Sequence, residues 1–217
     1  TSISIPDGGT SLPSNCFEGC KNLHEVKLPA NLAKMGDYCF GNCDVYSIDI
    51  PGTLTVVPYA AFDLNRNLKS ITFHEGTQRI NGMAFRQSAI KQLVLPASMR
   101  YIEDRTFSDC DSLVDLQLNE GLETLHYYVF SNCDKLEDVV LPSSLLFCPY
   151  YPFYGCPVKT LEARSLIPPT VRNDIPTYAA GNIELYVPLW SFQEYMTTPG
   201  WLEYQDHTQI ITDNLPA

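Results

Sequence analysis

The chain is 217 residues long and 45% hydrophobic, and its 14 Lys plus Arg stand against 25 Asp plus Glu for a formal charge of -11. That length and apolar content suffice for one elongated domain with a substantial core. The negative field repels phosphate backbones and anionic lipid, which excludes nucleic acid as a partner, and no run of eighteen apolar residues is present to insert into a membrane.

In chain order, Thr1 to Ile5 reads as the tail of a strand with no capping segment and no initiator Met before it, so upstream sequence is expected. The lack of a visible signal peptide therefore says little about export. A repeated word then begins at Phe17 with "FEGCKNLHEVKL" and returns at Phe40, Phe62, Phe85, Phe107, Phe130 and Phe153. The spacings are 23, 22, 23, 22, 23 and 23 residues, a period that signals stacked units. Each word sets a Cys-like position three after the Phe and an alternating apolar pair further on, and the words at Phe107 and Phe130 share a Leu six after the Phe. The second half of the unit repeats as well, as "LPANLAKMGDYCF" at Leu28 and "LPASMRYIEDRTF" at Leu95. In the 22-residue units after Phe40 and Phe85 the missing residue falls between the Cys-like position and the strand, so the strand keeps its register.

The pairs Val26/Leu28, Ile48/Ile50, Ile71/Phe73, Leu93/Leu95, Leu116/Leu118 and Val139/Leu141 alternate with polar or variable residues, the pattern of a short half-buried strand. One such strand per unit cannot hide its own apolar face. Parallel stacking about 4.8 Å apart lets neighbouring units bury each other. Proline just after the strand, at Pro6, Pro29, Pro51, Pro96 and Pro142, has no N–H to donate and turns the chain away from the sheet.

The complete unit, seen here as "TFSDCDSLVDLQL" and "LPANLAKMGDYCF", resembles the bacterial surface antigen A (BspA) type of leucine-rich repeat, from about Ile5 to Ile211. The resemblance implies a repeat solenoid, the leucine-rich-repeat right-handed α/β superhelix, with short parallel strands on one face and irregular or 3-10 turns on the other. It further implies a bacterial protein, exported to the cell surface or secreted, that serves in adhesion or host interaction. Local departures are Asn65 and Ser88 at the Cys position, Phe73-His74 in place of Leu-Pro, and Gly9 and Thr77 at the second-half Leu; each is expected to weaken packing where it sits.

Residues 1–163 are read as the solenoid of about seven repeats of 22–23 residues, and 164–217 as a degenerate last repeat with a small C-terminal cap. The stretch "ARSLIPPTVRNDIPTYAAG" is rich in turn formers, and a last strand is expected at about Ile183 to Val187. After Pro188, Ser191 with Glu194 three later makes a capping box that predicts a short helix. Trp190, Phe192, Tyr195 and Trp201 are expected to cover the open end of the apolar column.

All eight cysteines are read as small buried residues with free thiols, since stacked parallel side chains make the disulfide torsion awkward. No C-x-x-C pair is present and His24, His74, His126 and His207 lie in unrelated repeat phases, so no metal site is expected. The sequence has no G-x-S-x-G, no H-E-x-x-H and no phosphate-cradling glycine loop, so neither an enzyme nor a cofactor is expected. The outer tyrosines Tyr127, Tyr128, Tyr150, Tyr151 and Tyr154 are read as wall packing before a contact patch.

What remains is the outward face of the parallel sheet. Its residues change from repeat to repeat while the buried set does not, which suits a binding platform. Asp49, Thr72, Val94, Asp115, Gln117, Asp138 and Val140 are the candidate ligand-binding residues, for a protein or glycan partner of a monomeric module. The alternative is a structural spacer or self-assembly segment of a larger surface protein.

Overall fold

In a computed structural model the described residues are 1–171 and 183–211, and they form a parallel β-solenoid of about nine turns. The first ladder takes one strand from each coil: Ser2–Ser4, Glu25–Lys27, Ser47–Ile50, Ser70–Phe73, Gln92–Val94, Asp115–Gln117, Asp138–Leu141 and Thr160–Ala163. Glu184–Pro188 and Thr208–Ile211 continue it, and its strand pairing runs in three sheets, divided between Ser70–Phe73 and Gln92–Val94 and between Asp115–Gln117 and Asp138–Leu141. Every named pairing is parallel, and equivalent residues face each other, as Ile48 faces Ile71 and Leu93 faces Leu116. The strand begins eight residues after the Phe in the longer units, as from Phe17 to Glu25, and seven after it in the shorter ones, as from Phe40 to Ser47. The loop between Cys position and strand thus absorbs the length change, and the pleat never flips.

A second ladder was not expected from the sequence. The LxxI half of each unit forms a two-residue strand, at Ser11–Leu12, Lys34–Met35, Val56–Val57, Arg79–Ile80, Tyr101–Ile102 and Thr124–Leu125. Isolated bridges carry it on through Phe147 and Thr170. Such strands are too short to show alternation, so periodicity passes over them. The corner between the ladders follows the proline, whose carbonyl accepts the amide three residues on: Leu32 N–H to Pro29 O is 3.1 Å and Leu54 N–H to Pro51 O is 2.9 Å.

The third side of each coil carries the repeated Phe. Phe17, Phe40, Phe62, Phe85, Phe107, Phe130 and Phe153 stack in one column with centroids 5.0 to 5.6 Å apart and planes within 9° of parallel. All are fully buried except Phe17, which is half-buried in the first coil. Two residues on either side of the Phe are left-handed in every coil: Asn15 and Gly19, Tyr38 and Asn42, Ala60 and Leu64, Met83 and Gln87, Arg105 and Asp109, Tyr128 and Asn132, Tyr151 and Gly155. This geometry aims the amides at those positions, and that of the Phe itself, at carbonyls of the following coil. Ala60 N–H reaches Gly82 O at 3.0 Å, Phe62 reaches Ala84 O at 2.8 Å, and Leu64 reaches Arg86 O at 3.0 Å. The outer wall is therefore hydrogen-bonded from coil to coil without being a strand, which satisfies backbone groups that burial would otherwise leave unpaired.

Two of the polar departures do not leave gaps. Asn65 is fully buried, and its amide donates to the carbonyls of Phe40 (2.8 Å) and Phe62 (3.0 Å) while its Oδ1 accepts from Val45 N–H (3.1 Å). Thr77 is fully buried and donates to Leu54 O at 3.1 Å. The substitutes exchange apolar contact for bonds to the turn carbonyls.

At the C-terminal end the short helix forms at Phe192–Thr197, but not by a capping box. A 3-10 turn at Leu189–Ser191 runs into it, Phe192 N–H already bonds Leu189 O, and Ser191 Oγ turns back to Pro188 O at 3.2 Å. Trp190 is 74% exposed and covers nothing, because the same turn points Ser191 inward and Trp190 outward. Tyr195 and Trp201 are fully buried and pack edge to face at 4.8 Å, Trp201 Nε1 donates to Pro169 O at 3.0 Å, and Phe192 packs half-buried against the core. Tyr204, buried on a further 3-10 turn at Leu202–His207, was missed. The turn-rich stretch expected at 163–181 falls outside the described residues from residue 172 on.

Candidate functional site

Because side chains alternate across a strand, the first ladder presents two outward columns. Pairing places Ser2, Glu25, Ser47 and Ser70 in one column, continued by Gln92, Asp115, Asp138, Thr160 and Glu184. The other holds Lys27, Asp49, Thr72, Val94, Gln117, Val140, Glu162, Tyr186 and Gln209. All seven residues expected on this face lie on it, six of them exposed and Val140 half-buried. The face extends beyond them to Thr160, Glu162, Glu184 and Tyr186. The first of those coils has Ala163-Arg164 in place of Leu-Pro and the second has Val187-Pro188, and alternation in "KTLEA" and "IELYV" is the signal that marks them.

The columns are predominantly acidic, with Glu25, Asp49, Asp115, Asp138, Glu162 and Glu184 against Lys27. Several carboxylates are already oriented by a neighbour. Asp115 accepts from Gln92 at 2.6 Å and from Gln117 at 3.2 Å, Asp138 accepts from Thr160, and Glu162 accepts from Arg164 Nε at 2.5 Å. Val94 stands 48% exposed within one column, and Val114 is 54% exposed at its margin. Tyr46, also exposed at that margin, stacks on His24 at 4.8 Å. The arrangement is a polar, rigid platform with isolated apolar points, suited to contact and lacking any convergent nucleophile and base. A shallow recess of about 630 Å3 opens beside Asp49, lined also by Asp7, Lys27, Gly52 and His74.

Three other groupings bear on function. His126, in contrast to its isolation by repeat phase, sits between two carboxylates of the preceding coil, Nδ1 3.3 Å from Asp104 and Nε2 3.5 Å from Glu103. Glu103 also pairs with Arg79, whose guanidinium lies 4.3 Å over the Tyr101 ring. Opposite edges of one imidazole facing two carboxylates, with a guanidinium already on one of them, make a polar cluster that links consecutive coils. The tyrosines stack on each other, Tyr127 on Tyr150 at 4.9 Å and Tyr128 on Tyr151 at 6.2 Å, with Tyr127 and Tyr154 exposed. They pack against one another along the outer wall.

All eight cysteines are free thiols, but only six are buried: Cys16 and Cys20, in the first coil, are exposed. Their column meets a neighbouring coil on one side only, which is why burial fails there. Burial pushes the Cys43 thiol up to about 11 and the Cys148 thiol up to about 12. Cys43, Cys133 and Cys156 donate to the carbonyls of Phe17, Phe107 and Phe130 at 2.9, 3.4 and 2.9 Å, so these sulfurs serve as small hydrogen-bonding core residues.

Two parallel ladders, a stacked aromatic column and an exposed outward sheet face define a repeat solenoid whose units are interchangeable inside and individual outside. The chain belongs to the BspA type leucine rich repeat region family, which matches it in six copies over residues 1–114 and 100–169. No curated protein matches the chain. Among solved structures, a leucine rich repeat protein of T. pallidum is 21% identical over 75% of this chain and 73% of its own length, with a TM-score of 0.57, a likeness of fold. The pneumococcal vaccine antigen PcpA is 16% identical over 99% of this chain and 79% of its own, with a TM-score of 0.48. A leucine rich cell surface protein of Faecalibacterium prausnitzii A2-165 is 18% identical over 98% of this chain, with a TM-score of 0.49, and the chain spans 60% of its length. No described helix is long and apolar enough to cross a membrane.

Proposed function

We propose that the protein is a non-enzymatic binding module, exposed at a bacterial cell surface or secreted, that recognises a protein or glycan through the outward face of the first ladder. The observation that carries this reading is the division of labour along each strand. Inward positions repeat as Ile48, Leu93, Leu116 and Val139, whereas the register-matched outward positions differ in size and charge from coil to coil. Selection for packing alone leaves the outward positions free, and a preorganised backbone gives them fixed spacing at little entropic cost on binding. The acidic columns favour a partner with basic side chains, or a neutral glycan whose hydroxyls donate to Asp115 and Asp138, over any polyanion. Family membership is what supports the surface location and the adhesive role.

The test is a glycan and host-protein array probed with the folded chain, followed by Asp115→Lys and Asp138→Lys on any captured ligand. Both changes are expected to weaken capture at least tenfold and leave the unfolding midpoint nearly unmoved. Capture that survives both moves the site off this face. No capture at all favours the spacer reading, in which the solenoid only sets a distance.

A further inference from the structure

We propose that Cys16 and Cys39 form a redox-active pair that closes into a disulfide on oxidation, joining the first two coils of the solenoid. Their sulfurs lie 3.2 Å apart. The backbone between them is pinned by two inter-coil hydrogen bonds, Asn15 N–H to Asp37 O and Phe17 N–H to Cys39 O, both 2.9 Å. Consecutive coils about 4.8 Å apart place equivalent Cα atoms inside the 4.4–6.8 Å window of disulfides, and closure needs the sulfurs to approach by only about 1.1 Å, to ~2.05 Å. Each cysteine follows a left-handed residue, Asn15 or Tyr38, on the outer wall and lies in neither ladder.

The pair is asymmetric in a way that gives each sulfur a role. Cys16 is exposed, and Cys39 is fully buried with its thiol pushed up by desolvation and by the hydrogen bond to Cys16. Cys16 is therefore the sulfur that meets an oxidant from solution, and Cys39, kept protonated by burial, is the resolving sulfur because it stands 3.2 Å behind it. With a small-molecule disulfide such as oxidised glutathione, the Cys16 thiolate attacks one sulfur, breaks that S–S bond and releases one thiol. Cys39 then gives its proton to solvent and attacks Cys16 Sγ, forming the Cys16–Cys39 bond and expelling the second thiol. Two protein thiols are oxidised and one external disulfide is reduced to two thiols. The other cysteines lack this combination. Cys20 is exposed, but its partner across the coils, Cys43, is turned to the Phe17 carbonyl, and Cys110, Cys133, Cys148 and Cys156 are closed off in the core.

The experiment equilibrates the full chain in a glutathione redox buffer, alkylates it after denaturation, and maps the peptides by mass. Alkylatable thiols are expected to fall from eight to six, with a linked peptide pair containing Cys16 and Cys39 and a mass lower by two hydrogens. Cys39→Ala is the control, since Ala61 and Ala84 occupy the same position in later coils and the fold tolerates it. In that variant Cys16 is expected to accumulate as the mixed disulfide with glutathione. The proposal is overturned if all eight thiols remain, if wild-type Cys16 stops at the mixed disulfide, if Cys20 and Cys43 are the linked pair, or if the product is a dimer joined through Cys16.

Discussion

Phe107 and Phe130 lie face to face, ring centroids 5.6 Å apart and planes 6° from parallel, although 23 residues separate them along the chain. The contact is between successive coils, and each ring has another such neighbour on its far side, Phe85 and Phe153. A solenoid has no single centre, so its core is this column together with the inward strand residues, repeated until the ends are closed.

Removing one ring from the middle of the column should be costly because neither neighbour can move without breaking its own stack. Phe107→Ala is expected to lower stability by about 3–5 kcal/mol, the usual range for a buried aromatic. Chemical denaturation measures it. A loss under about 1 kcal/mol would mean the column relaxes around the void, contrary to close packing of the interior.

The left-handed residues beside each Phe make a separate and opposite pair of expectations. Gly19 has no heavy atom within 4 Å of where a Cβ would stand, so Gly19→Ala tests backbone conformation alone, and a cost of about 1–2 kcal/mol is expected. Gln87 occupies the same position with φ 59°, and Gln87→Gly should raise stability by roughly 0.5–1 kcal/mol. Thermal unfolding of the two variants beside the parent decides both signs.

Asp63 and Arg86 form a two-pronged ion pair across consecutive coils, both N–O distances 2.9 Å, with Asp63 only 5% exposed. The hydrogen bond to Asp63 holds the Arg86 guanidinium above its usual range. Arg86→Ala strands a buried carboxylate and is expected to cost about 3 kcal/mol. Replacing both residues with Ser, as at Ser108 and Ser131 in later coils, should cost much less. A double-mutant cycle reads the difference as coupling energy.

Glu75 accepts the amide hydrogens of Ala97 and Ser98 in the next coil at 2.8 and 3.1 Å, and those bonds hold its carboxyl below the usual range. A lowered folded value means the carboxylate contributes stability above its unfolded value of about 4.3 and loses that contribution as pH falls through the folded value. The unfolding midpoint of Glu75→Gln should therefore fall less than the parent's on acidification below about pH 4.3. Parallel acid titrations of unfolding that coincide would remove Glu75 from the pH response.

The repeat length, the strand phase and the inward residues were legible in the chain because each is a one-dimensional regularity: equal spacing of Phe, and alternation around Ile48 or Leu116. The seven face residues followed from the same alternation. The second ladder did not, since two-residue strands carry no period, and neither did the left-handed wall, where residues as different as Tyr38, Leu64 and Asp109 share one backbone conformation. Ser191 shows the limit of motif reading: the capping box was present in sequence, and the hydroxyl instead turned back to donate to Pro188 O.

By itself, then, the sequence determined that like residues lie over like, because a fixed period leaves stacked coils only one register that buries every apolar side chain. Tertiary structure alone decided which unlike residues meet: the Asp63 carboxylate with Arg86, Asn65 with the carbonyls around it, and His126 between two acids. Those contacts depend on side-chain direction at turns and corners, where no periodicity constrains the chain and the three-dimensional path between coils sets every distance.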